Sequence, residues 1–66
     1  MQITLVYKDR HVETFPVHSE SLGYIYYFKA GKYFRINGHT KKIERLTDTG
    51  WSRTLDNIIG FSVGYN

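Results

Sequence analysis

The stretch Tyr24-Ile25-Tyr26-Tyr27-Phe28-Lys29-Ala30-Gly31-Lys32-Tyr33-Phe34-Arg35-Ile36-Asn37-Gly38 decides the fold. It sets two runs dense in aromatic and β-branched residues on either side of a glycine turn, and it ends on Asn-Gly. Such side chains fit a pleated, half-buried surface. Asn37-Gly38 is the best short hairpin signal in the chain, because both residues tolerate the positive φ of a tight β-turn. The segment that follows, Lys41-Lys42-Ile43-Glu44-Arg45-Leu46, consists mostly of good helix formers. A strand is favoured there all the same, because the Asn-Gly turn needs a returning partner. The reading is a three-stranded antiparallel meander over residues 24–46.

Turn length determines which rings this meander buries. A two-residue turn at Asn37-Gly38 pairs Ile36 with His39 and sets Phe34, Ile36 and Ile43 on one face. Ala30 disfavours positive φ, so a type I turn with Gly31 as a left-handed bulge is expected. That turn pairs Phe28 with Lys32 and adds Tyr24, Tyr26 and Phe28 to the same face. Ile25, Tyr27, Tyr33, Arg35, Thr40 and Lys42 then point the other way. A plain two-residue turn at Ala30-Gly31 would swap the faces of strand 24–28, since a one-residue slip flips every side chain. In both registers Tyr33, Arg35 and Lys42 share a face with at least one further tyrosine.

Outward from the meander, Ile3, Leu5 and Tyr7 alternate with Gln2, Thr4 and Val6, which is the period of a strand. Lys8-Asp9-Arg10 breaks it, and His11 to Val17 resumes, completing an N-terminal hairpin. Pro16 lacks a backbone donor, so this second strand is expected to end there or to lie at an edge. His18 to Gly23 reads as a loop, and Thr47 to Arg53 as a turn-rich loop holding the only tryptophan. Leu55, Ile58 and Ile59 have helical spacing, which predicts a short helical turn near 54–59. Ile59, Phe61, Val63 and Tyr65 alternate as a closing C-terminal strand. The fold class expected is all-β, a single domain over residues 1–66 forming a five- to six-stranded antiparallel barrel or roll, SH3-like or OB-like. The order of hairpin and meander resembles the layout of small archaeal chromatin proteins with SH3-like folds, although the chain has neither their lysine density nor their C-terminal helix.

Sixty-six residues without cysteine can hold neither a disulfide nor a thiolate-bound metal. Such a chain buries only about 60% of its unfolded surface. Eleven aromatic residues supply the core mass instead, and they exceed what so small a core can hide. No apolar run approaches the ~18 residues of a membrane span, and no basic segment precedes an apolar one as in a secretory leader. A soluble, cytoplasmic domain is the expectation. Charge is uneven. Residues 1–28 sum to −1, whereas Lys29, Lys32, Arg35, Lys41, Lys42, Arg45 and Arg53 outweigh Glu44 and Asp48 to give residues 29–53 a balance of +5.

Asp48-Thr49-Gly50 spells the catalytic triplet of aspartic proteases, but Arg45 and Thr47 stand where that family has a buried apolar strand. It reads as a turn. His11, His18 and His39 lack metal-ligand spacing, and there is no phosphate loop or nucleophile elbow. No enzyme, metal, cofactor or small-molecule substrate is expected. The residues that carry a function are aromatic and basic: Tyr27 and Tyr33 to stack on bases, with Arg35, Lys41, Lys42 and Arg45 on phosphates. The expected partner is nucleic acid, DNA or RNA, bound by the sheet face of residues 24–45. Exposed tyrosines with arginine equally compose a protein-binding hot spot, so a small inhibitor or adaptor is the competing reading. Self-association of the exposed face is a third.

Overall fold

Six short connections carry the chain through seven strands in the computed structural model, which describes residues 1–65. The strands are β1 (Gln2–Tyr7), β2 (Val12–Ser21), β3 (Tyr24–Lys29), β4 (Lys32–Asn37), β5 (Ile43–Thr47), β6 (Gly50–Arg53) and β7 (Ile58–Gly64). They form one antiparallel sheet in the order β6-β5-β4-β3-β2-β1-β7. Among the described residues there is no helix, and so none long and apolar enough to cross a membrane. The all-β class, the N-terminal hairpin and the meander stand as expected. Several features differ, two of them in the sheet itself. The loop expected at residues 47–53 contains a seventh strand, β6, paired to β5 from Thr47↔Gly50 to Glu44↔Arg53. No ladder joins β6 to β7, so the sheet is open where the sequence reading expected closure.

Residues 54–57 form an irregular connector rather than a helical turn, and Ile58 and Ile59 belong to β7. The reason is local. Thr54 donates both its N–H (2.9 Å) and its hydroxyl (3.3 Å) to the carbonyl of Ile43, which ties it to β5. The remaining residues must then stretch from one edge strand to the other.

β2 organises the bend. Through Pro16 it pairs with β1, and from Val17 onward it pairs with β3. The N–H of Val17 donates to the Met1 carbonyl, so in the alternation of an antiparallel ladder the nitrogen of Pro16 faces the β3 side. The β3 ladder starts only at Val17↔Tyr27, so the missing donor leaves no gap. Proline therefore sits inside a ten-residue strand that continues to Ser21 between β1 and β3, neither the strand end nor the sheet edge expected for it. The register shifts between Val17 and Ser19. His18 is the extra residue, and bulges of this kind bend a strand.

The bend closes one core. Ile3, Leu5 and Tyr7 of β1 meet Ile25 and Tyr27 of β3, Phe34 and Ile36 of β4, and Ile43 of β5, all buried. Phe15, Val17, Ile58, Phe61 and Val63 pack around them with one flank open. Ile36 is fully buried, as the alternation requires.

Two turns set the meander. Lys29 pairs with Lys32 across a plain two-residue turn in which both Ala30 (φ 51°) and Gly31 (φ 74°) are left-handed. This is the alternative register, so Ile25 and Tyr27 face the core while Tyr24, Tyr26 and Phe28 face out. The Asn37-Gly38 turn is longer than two residues. Ile36 pairs with Ile43, not His39, and the Asn37 side-chain carbonyl accepts the N–H groups of His39 (2.8 Å) and Thr40 (3.0 Å). Gly38 donates its N–H to the Gly23 carbonyl at 2.8 Å, and a Cβ at Gly38 would lie 3.3 Å from that oxygen.

Candidate functional site

The outward face of the meander follows from the pairing. Tyr26 lies opposite Arg35, Phe28 opposite Tyr33, Arg35 opposite Glu44, and Leu46 opposite Trp51. Alternation therefore lines up Tyr24, Tyr26 and Phe28 on β3 with Tyr33 and Arg35 on β4, Glu44 on β5 and Trp51 on β6. The rings touch one another. Tyr26 and Tyr33 stack at 5.8 Å between centroids with planes 18° apart. Trp51 approaches Tyr26 at 5.8 Å and Tyr33 at 5.9 Å, and Phe28 lies 4.9 Å from Tyr33. The bulge at His18 aims its ring edge-on at Phe28 and Tyr33, both at 5.5 Å. Its Nδ1 is hydrogen-bonded to the Tyr33 hydroxyl at 2.8 Å.

Arg35 sits within this cluster. Its guanidinium lies 4.1 Å from the Tyr24 ring and 4.3 Å from that of Trp51, a cation held over two aromatic faces. Its Nε donates to Glu44 Oε1 at 2.8 Å. Partial burial works against the charge, but the hydrogen bonds with Glu44 and Tyr26 outweigh it and hold the pKa above the ordinary guanidinium value. At one end of the face, Tyr24, Asn37, Thr40, Lys42, Glu44 and Arg53 line a recess of about 280 Å³. Lys42 and Arg53 are exposed there and form no ion pair with any described residue.

The six residues singled out in the sequence are distributed unequally. Tyr33 is on this face, Lys42 is at its recess, and Lys41 is in the adjoining loop with φ 62°. Arg35 is there too, but engaged with Glu44 and two rings. Tyr27 is in the core, 1% exposed, between Phe15 and Phe34. Arg45 pairs with Phe34 and Ser52, on the inward side. The residues missed were Tyr24, Tyr26, Phe28, Trp51, His18 and Arg53. The bulge expected at Gly31 turns the first three inward, and the loop expected at residues 47–53 keeps Trp51 off the sheet.

Asp48-Thr49 is the exposed two-residue turn between β5 and β6, braced by the Thr47 hydroxyl, which donates to the Gly50 carbonyl at 2.7 Å. Beyond this face, a polar cluster closes the far end of the core. Lys29 Nζ lies 3.3 Å from Glu13 Oε1 and 3.4 Å from the Tyr7 hydroxyl, and the Tyr7 ring stacks on His11 at 4.1 Å. His11 also bonds Asp9. No three His, Asp or Glu side chains are arranged to hold a metal ion among the described residues. Comparison with known proteins returns no matching family model, no matching curated protein and no matching solved structure.

Proposed function

We propose that the protein is a non-enzymatic binding module that takes up single-stranded nucleic acid on the outward face of β3, β4 and β6. The observation that carries this reading is the joining of five aromatic rings on one sheet face to a recess in which Lys42 and Arg53 form no ion pair among the described residues, Glu44 of the same recess being engaged by Arg35. Stacking on rings is sequence-tolerant and worth ~1–3 kcal/mol per base. The exposed Lys42 and Arg53 beside the last ring, Tyr24, are the groups to neutralise phosphates of the same strand. A single strand fits better than a duplex, because only unpaired bases can lie flat on such rings. In this reading Tyr24, Tyr26, Tyr33 and Trp51 replace Tyr27 as the stacking residues. Lys41, Lys42 and Arg53 take the phosphates, and Arg35 orients the rings. The Thr54–Asn57 connector holds the two sheet edges within about 18 Å, and we read the bent sheet as an incompletely closed relative of the small-barrel class.

One observation favours a second reading. Arg35 is already neutralised by Glu44 and sandwiched between two rings, which is the composition of a protein-binding hot spot rather than of a phosphate clamp. Salt separates the two. The test is a fluorescence titration of labelled single- and double-stranded oligonucleotides at several salt concentrations. Trp51→Ala is expected to weaken single-strand binding by ~1–3 kcal/mol with the salt slope unchanged. Lys42→Ala and Arg53→Ala are each expected to lower that slope by about one. A parent protein that binds no single strand more tightly than the generic ~10⁻⁴–10⁻⁶ M at physiological salt refutes the proposal and leaves the protein-docking reading.

A further inference from the structure

A second surface, remote from the aromatic face, leads to an independent conclusion: we propose that β7 pairs edge to edge with β7 of a second copy of this chain, antiparallel about a two-fold axis. β7 is the terminal strand of the sheet, with β1 as its one neighbour. The hydrogen bonds of the first hairpin show which backbone groups it leaves open. Tyr7 donates its N–H to the His11 carbonyl and accepts from the Arg10 N–H, so its groups face β2. Lys8 donates to the Asn57 carbonyl and so faces the β7 side. Both groups of a residue point the same way, and the direction alternates along an antiparallel strand. Val6, Thr4 and Gln2 therefore face β7, where their partners are Gly60, Ser62 and Gly64. Phe61 and Val63 are left with N–H and C=O directed at the open edge.

Exposed edges are normally blunted by shortness, charge or proline. The other edge, β6, is blunted, having four residues and ending on Arg53. β7 is not. It has seven residues, and no charged residue or proline lies anywhere from Asn57 to Tyr65. That composition selects the occupant. About a two-fold axis each side chain meets its own kind, so any charge near the axis would face a like charge. A charge-free strand is compatible with itself and offers a charged peptide no opposite charge to pair with. The pairing that sets Phe61 opposite Val63 of the second copy makes four N–H···O bonds. It brings Ser62 against Ser62 and Gly60 against Gly64 on the outward side, where nothing bulky intervenes. On the inward side it covers the open flanks of Phe61 and Val63, which the core of one chain buries only in part.

Sedimentation equilibrium of the parent protein from about 1 μM to about 1 mM tests this, with a reversible dimer expected inside that range. Val63→Pro deletes an outward N–H that the β1 ladder does not use, so a folded monomer is expected at every concentration. Ser62→Lys and Ser62→Glu are each expected to weaken self-association about fivefold, by like charges meeting across the axis. An equimolar mixture of the two is expected to form the heterodimer in preference to either homodimer. A parent that stays monomeric at the highest concentration overturns the proposal. So does a folded Val63→Pro variant that dimerises like the parent, or a Lys/Glu mixture with no preference for the heterodimer. The last outcome decides the matter even if the proline variant fails to fold.

Discussion

Replacing Tyr27 and Tyr26 by alanine, one at a time, tests the feature on which the proposed binding face depends, namely which way β3 points. Tyr27 is 1% exposed, and its ring stacks on Phe15 at 5.5 Å and on Phe34 at 5.6 Å. Truncating a buried ring costs ~3–5 kcal/mol, and the two ring pairs add ~0.5–1.5 kcal/mol each if fully lost. At ~0.05–0.15 kcal/mol per residue the whole domain is stable by about 3–10 kcal/mol. Tyr27→Ala is therefore expected to be unfolded or nearly so at 25 °C. Tyr26 points outward and is half-buried among Tyr24, Tyr33 and Trp51. Its removal is expected to cost about 1–1.5 kcal/mol through lost ring contacts, leaving the core closed. Urea unfolding followed by far-UV dichroism or amide shifts measures both. Trp51 fluorescence is unsuitable, because Tyr26 is its neighbour. Tyr27→Leu, which keeps an apolar filler, gives a measurable value if the alanine variant does not fold. If Tyr26→Ala proves as damaging as Tyr27→Ala, the register of β3 is one residue off and the outward face carries Tyr27 instead.

The turn that fixes this register should itself be improvable. Ala30 holds φ 51° at the first position of a two-residue turn whose second residue is glycine, so Ala30→Asn is expected to stabilise by ~0.5–1 kcal/mol and raise the melting temperature by several degrees. Stability should also fall at both ends of the pH scale. Burial raises the pKa of Tyr7 and Tyr27 above the unfolded value of 10.0, so their contribution is complete below pH 10 and is lost as pH rises through the folded values. At the acid end, the hydrogen bond from Tyr7, with Lys29 beside it, lowers the pKa of Glu13 below the unfolded 4.5. Its contribution is present above pH 4.5 and is lost as pH falls. Urea melts from about pH 3 to about pH 11 are expected to show both slopes, with Tyr27→Phe flattening the alkaline one and Glu13→Gln the acid one.

The two meander turns depart from their expected lengths with opposite consequences. The Asn37-Gly38 connection is four residues longer in register than a two-residue turn, pairing Ile36 with Ile43. An even slip leaves every side chain on its face, so Phe34, Ile36, Ile43, Tyr33, Arg35 and Lys42 stand on the sides assigned to them. The Gly31 turn differs by a single residue, and an odd slip reverses a strand. Nothing in the local sequence announces it, because Ala30 has no chemistry that favours positive φ. The deciding energy is tertiary: only the two-residue register puts Ile25 and Tyr27 against Ile36 and Phe34. β6 was hidden for a different reason. It is four residues long, starts on glycine and follows a turn-forming Asp-Thr, so its pairing is visible only through Leu46↔Trp51.

Ten of the eleven aromatic residues, all but the exposed Tyr65, divide between two tasks that can be separated experimentally. Tyr7, Phe15, Tyr27, Phe34 and Phe61 pack in or against the core, and no comparable filler exists for them in a cysteine-free chain of this size. Tyr24, Tyr26, Phe28, Tyr33 and Trp51 stand on the other side of the sheet, with Phe28 45% exposed. Folding alone gains little from this second set, since one layer of rings covered by nothing leaves much apolar surface in water. What it does gain is order. Each outer ring is braced by a neighbouring ring, by the Arg35 guanidinium or by the Tyr33–His18 hydrogen bond, contacts that restrict its rotamers ahead of the proposed binding. An immobilised side chain saves ~0.5–1.5 kcal/mol of ordering cost on binding. In the proposed binding Arg35 would thus act without touching the ligand. Arg35→Lys, which keeps the charge but not the planar fork over Tyr24 and Trp51, should loosen the rings and weaken binding while leaving the salt slope nearly unchanged.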